Sequence, residues 1–248
     1  MFSTEGFQAW AKKNVVLFAS IMTRIEGRED DALLRTYGFG GFPSMAMLDG
    51  GGEAITKKIG RDLPSMQTTA TAAADYISLK NKVEAGEDVD PIKFFMARLG
   101  LGQLTAEEAA KEAAGLELDA VQKAILDKAL LGLELDSLMA GARTPDGAAA
   151  AGAKVYELYK AGRVPAAGAS QEAFYMAMLV KIAEENDDGP AFLVAYPHVR
   201  KQAAETVKRL EDMMTKTPAM KERIETSLQR MQKQLADLDA KAEAFKKA

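Results

Sequence analysis

Thiol, metal and acid–base chemistry depend on cysteines, histidines or facing carboxylates, and these are nearly absent here in any useful arrangement. The 248 residues include no cysteine and a single histidine, His198. That removes disulfides, thiolate nucleophiles and Cys-based zinc ligation, and one imidazole cannot build a histidine metal cluster. His198 follows Tyr196-Pro197 near a helix start or kink, where a packing or surface role is expected. Carboxylates are plentiful, but Glu107-Glu108, Glu184-Glu185 and Asp187-Asp188 fall at capping or solvated positions. An acid–base pair needs burial and a facing partner to move its pKa, and no spacing places two such groups in one cleft. Gly50-Gly51-Gly52 lacks the following helix and the lysine–hydroxyl pair of a phosphate loop, so it reads as hairpin punctuation. No catalytic residue, metal site or cofactor site is assigned.

The elements that would position any site begin with a short helix capped by Ser3 or Thr4 and running to about Lys13, with Phe7, Trp10 and Ala11 on one face. Val15-Val-Leu-Phe-Ala-Ser-Ile-Met22 is a continuous apolar, β-rich run, which predicts an interior parallel strand buried on both faces. Arg24 to Asp31 is a polar loop, and Asp30 or Asp31 can start a helix through Leu33, Leu34 and Tyr37 that Gly38 ends. Ser44 to Asp49 and Glu53 to Ile59 predict two strands joined at Gly50–Gly52, with Ile55 and Ile59 inward and Gly60 closing the hairpin.

Tyr37-Gly38, Gly41-Phe42-Pro43, Leu48-Asp49, Gly52-Glu53 and a final Gly60, in that order, resemble the second half of the thioredoxin fold. The resemblance implies a cis peptide bond before Pro43, and Gly41, Phe42 and Pro43 as a loop that binds peptide through its main chain. An ordinary trans turn proline is the plain alternative. In that fold the Cys-x-x-Cys motif, its helix and the preceding strand all lie upstream of the matched region. The expectation is therefore a fold of incomplete type, whose absent strand would lie between Val15–Met22 and Ser44–Asp49. Direct pairing of the two remaining strands, a strand from another molecule, or a native product extending upstream of Met1 with the cysteines would each resolve the gap. Direct pairing is what the isolated chain is expected to do, because unpaired main-chain groups are costly when buried.

From Leu63 onward the pattern is helical. Pro64 to Glu84 predicts a helix covering the sheet, Gly86 to Asp90 a linker, and residue 86 a domain boundary between a 1–86 thioredoxin-like domain and an 87–248 helical bundle. Asp90-Pro91 starts a helix bearing Phe94, Phe95, Met96 and Leu99; Thr105-x-x-Glu108 is a capping box, and Asp119 can cap the next helix. Asp146–Gly162 and Ser170–Asn186 predict two more, and Ala140–Gly152 is either a flexible connector or a loosely packed helix start. Ile224, Leu228, Met231, Leu235, Leu238, Ala242 and Phe245 alternate four and three apart. Val199, Ala203, Val207, Leu210 and Met214 line the segment before, with Thr217-Pro218 between. This predicts a coiled-coil-like αα-hairpin.

With 32 basic and 36 acidic residues and a net charge of -4, the chain carries no basic field suited to nucleic acid. No apolar run reaches a membrane span and no signal-peptide pattern opens the sequence, so the cytoplasm is the default location, or an extracytoplasmic one if the chain extends upstream. The fold class expected is an incomplete thioredoxin-like α/β unit followed by a mostly helical region. The function expected is a redox-inactive, protein- or peptide-binding role, or the remainder of a thioredoxin-like oxidoreductase without its cysteine segment. The alternative is a structural or assembly protein acting through the C-terminal helices. Oligomers can form through strand completion or the terminal hairpin.

Overall fold

A computed structural model describes residues 2–20, 32–216 and 221–247. Most of them are helical, with one small sheet. In chain order the elements are α1 (Glu5–Asn14), α2 (Leu33–Thr36), β1 (Met47–Leu48), β2 (Ala54–Thr56), α3 (Leu63–Glu84), α4 (Pro91–Gly100), α5 (Ala106–Ala113), α6 (Ala120–Gly141), α7 (Pro145–Lys160), α8 (Glu172–Glu185), α9 (Gly189–Lys216) and α10 (Lys221–Lys247). The chain divides into two compact units, Met1–Ala129 and Leu130–Ala248, within α6. The sequence had suggested a boundary near residue 86.

Helix starts follow local chemistry, because a side-chain oxygen at the cap satisfies first-turn amides that have no helical partner. Asp62 Oδ1 accepts from Ser65 N at 2.9 Å, and Asp90 Oδ1 accepts from Ile92 N at 2.9 Å. Thr105 and Glu108 form the reciprocal capping box, and Asp119 with Gln122 forms another.

In the first unit, β1 and β2 pair antiparallel with Met47 opposite Thr56 and Leu48 opposite Ala54. β2 advances two residues where β1 advances one, so Ile55 is the extra residue of a bulge. Its carbonyl accepts from Gln103 Nε2, 2.9 Å away in the turn after α4. Ile55, Ala73 and Leu101 form one buried cluster with Met47, Tyr76 and Ile77 against it, and Tyr76 stacks on Phe94 at 5.9 Å. Leu101, in the turn after α4, and Phe94 of α4 thus pack with the hairpin and α3 across residue 86. Phe7, Ala11 and Met66 make a second cluster, contacted by Trp10, Val15, Met45, Ile59 and Leu63.

The interior strand expected at Val15–Met22 is not formed in the part described. Residues 15–20 carry no strand pairing, and Val16, Leu17 and Phe18 are 98%, 63% and 68% exposed; Ile21 and Met22 lie outside the described residues. Direct pairing with the hairpin is likewise not formed by residues 15–20, since among the described residues the sheet contains β1 and β2 alone. The hairpin strands are also shorter than Ser44–Asp49 and Glu53–Ile59. A strand without flanking neighbours gains few ladder bonds, and the bulge at Ile55 interrupts the few available. The helix start at Asp30 or Asp31 lies outside the described residues; Gly38 ends α2 as expected, at φ +64°.

In the second unit, the later part of α6 with α7, α8, α9 and the end of α10 encloses a core that includes Leu135, Val155, Tyr175, Leu179 and Phe192. Tyr175 is fully buried and donates its hydroxyl to the Arg163 carbonyl at 3.1 Å, so burial leaves no orphan donor. Ala140–Gly152 resolves into the end of α6 and a packed α7, whose Ala151 and Gly152 are buried. α10 lies along α9 with Ile224, Leu228 and Ala242 buried, so the predicted seam is internal packing. The Thr217-Pro218 turn lies outside the described residues.

Candidate functional site

The residues that the resemblance implicates, Gly41, Phe42 and Pro43, sit together in the connection from α2 to β1. This loop is fixed at both ends by the hairpin. Tyr37, just after α2, donates its hydroxyl to Gly52 O at 2.7 Å. At the tip, Asp49 Oδ1 accepts from Gly51 N and Glu53 N, each at 2.9 Å, while Oδ2 pairs with Lys80 of α3 at 3.2 Å. The Glu53 amide, followed by the Lys80 ammonium and the Gly51 amide, holds the Asp49 carboxyl below its ordinary range. Lys80 also reaches Glu53 at 3.0 Å. The hairpin is thereby tied to the helix beneath it.

At the other end Gly60 brings the chain against α3: a Cβ there would lie 2.3 Å from Ser65 Cβ, which no side chain can accommodate without backbone movement. Arg61 then reaches back eighteen residues, its Nη2 donating to Pro43 O at 3.4 Å. Ser44 Oγ donates to Gly41 O. The Phe42–Pro43 peptide bond is cis, as the resemblance implied. Phe42 is 65% exposed, and no described residue hydrogen-bonds its main-chain N–H or carbonyl. Nothing lies within 4 Å of a Cβ built on Gly40 or Gly41. The loop therefore presents the Phe42 ring and the Phe42 main-chain groups, which no described residue engages.

The other chemistry-bearing groups serve packing. His198 Nε2 lies 2.9 Å from the Gln202 side-chain amide nitrogen, and its Nδ1 lies 3.4 Å from Glu172 Oε1. Glu108 completes the capping box, Glu184 pairs with Lys241 at 3.7 Å, and Glu185 with Lys181 at 3.9 Å. Asp188 caps α9 through Ala191 N at 3.0 Å and accepts from Tyr156 OH at 2.7 Å. Among the described residues no group of His, Asp and Glu is placed to hold a metal ion, and no helix is long and apolar enough to cross a membrane.

No family model matches the chain, and no curated protein or solved structure matches it either. The geometry of the loop is therefore what any functional reading must rest on. Sequence reasoning missed two neighbours of the loop, Lys57 and Arg61. Both follow the hairpin in a charged stretch that looks like ordinary solvated surface, and only the return of the chain to Phe39 and Pro43 gives them a place.

Proposed function

We propose that residues 1–86 form a thioredoxin-like unit without the cysteine-bearing segment, and that it binds an extended peptide at Gly41, Phe42 and Pro43 and along the adjoining edge of β1. The role is recognition rather than redox chemistry, since the chain has no thiol. What supports the fold reading is the order helix, proline loop, antiparallel hairpin and covering helix. The observation that carries the binding role is Phe42, exposed, with its main-chain N–H and carbonyl unengaged by any described residue.

The edge chemistry agrees. Strand addition uses unpaired main-chain donors and acceptors for affinity and neighbouring side chains for selectivity. β2 is shielded where Gln103 takes the Ile55 carbonyl, whereas β1 has no described strand on its other side. An added strand would therefore join β1, continuing from the proline loop.

A fluorescein-labelled extended peptide of alternating valine and threonine, titrated against the full chain in an anisotropy assay, tests this. The wild type is expected to bind, and Phe42→Asp to bind roughly tenfold more weakly, as expected for losing one buried aromatic contact. Equal affinity of the two proteins would sink the proposal. Circular dichroism of Phe42→Asp should be unchanged, because the residue is exposed.

A further inference from the structure

Two cations border the proposed peptide site, and neither has a carboxylate partner among the described residues. Lys57 Nζ sits 5.8 Å from the centre of the Phe39 ring, at the start of the loop. The Arg61 guanidinium sits at its end, 3.4 Å from Pro43 O. Neither makes an ion pair with any described residue, although the chain as a whole has a net charge of -4. The acidic groups nearby in sequence are engaged elsewhere: Asp49 and Glu53 with Lys80, and Asp62 with the amide and hydroxyl of Ser65 at the start of α3. Two cations without an ion pair to any described residue thus border the loop on an acidic protein, Lys57 at its Phe39 end and Arg61 at its Pro43 end.

We infer that the strand captured here is acidic: an extended segment with an apolar residue against Phe42 and carboxylates on either side of it, facing Lys57 and Arg61. This rests on the peptide-binding reading above and adds the partner's charge to it. Charge complementarity at exposed positions acts mainly on selectivity and encounter rate, because water screens each contact. The preference should therefore be modest, salt-sensitive and separable from binding itself. Lys57 is the simpler of the two contacts. Arg61 also holds the loop through Pro43 O, so its charge and its hydrogen bond must be tested apart.

The test uses three labelled octapeptides of alternating valine and threonine, bearing two glutamates, two glutamines or two lysines at the same positions, with the full chain. The glutamate peptide is expected to bind roughly three- to tenfold tighter than the glutamine peptide, and the lysine peptide weakest. The preference should collapse at ~1 M salt, where the screening length falls to about 3 Å. Lys57→Gln and Arg61→Gln should each remove part of it, while Arg61→Lys, which keeps the charge, should retain it. Equal binding of the three peptides overturns this inference and leaves the peptide-binding reading standing. No binding of any of them overturns both. Tighter binding of a single-stranded oligonucleotide than of the glutamate peptide also overturns it, since the cations would then be reading phosphate.

Discussion

Gln103 holds the small sheet from outside it. Its side-chain amide donates to the carbonyl of Ile55, the extra residue of the bulge, at 2.9 Å. Gly102, immediately before, has φ +68°, and a Cβ there would meet Lys58 Cδ and Cε at 2.9 Å. The lysine stem can move aside, so the larger cost of a side chain is the left-handed backbone. Gln103→Ala and Gly102→Ala are each expected to lower stability by about 1 kcal/mol, read as a reduced urea midpoint. An unchanged midpoint for Gln103→Ala would show that water replaces the amide at no cost. Neither residue carries a sequence signal for this role, because Gln103 and Ile55 lie 48 positions apart.

At the level of elements, α9 and α10 are held by a polar clasp as well as by their apolar seam. Arg200 donates to Asp239 through Nε at 2.9 Å and Nη2 at 3.1 Å, and Tyr196 OH donates to the same carboxylate at 2.8 Å. The Arg200 hydrogen bonds are the main reason that the Asp239 carboxyl sits below its ordinary 3.8, with the Tyr196 hydroxyl adding to it. A carboxyl whose folded pKa is depressed stabilises the fold above its unfolded pKa, and that contribution is lost as pH falls through 3.8 toward the folded value. Asp239→Asn is therefore expected to lower the urea midpoint at pH 7 more than at ~pH 3, where the wild type has itself lost much of the contribution. An equal deficit at both pH values would rule out the carboxylate as the source. The helix pair was visible in the four-and-three apolar spacing, whereas the clasp was not: Tyr196, Arg200 and Asp239 meet only because the two helices run side by side.

For the whole molecule, the distribution of exposed apolar surface is what sets the first unit apart. Val121, Ile125, Met139 and Val164 are exposed at scattered positions, whereas Val16, Leu17 and Phe18 are the only run of consecutive exposed large apolar residues among those described. A contiguous patch of this kind favours association in a way that single exposed side chains do not. Replacing all three with threonine is expected to cut binding of an apolar dye and any concentration-dependent association, with the urea midpoint unchanged within about 0.5 kcal/mol, because exposed residues contribute little to the fold. A large loss of stability would show that the run is buried in solution. Helix positions, caps, the reversal at Gly50–Gly52 and the lack of any cysteine in these 248 residues followed from sequence alone, since each depends on residues a few positions apart or on composition. Tertiary structure decided that Val16–Phe18 remain outside the core, that α4 and the following turn join the first unit, and that Lys57 and Arg61 return to Phe39 and Pro43. A β-rich run becomes a strand only when a neighbour offers hydrogen bonds, and a surface cation acquires a role only when the chain returns it to a site.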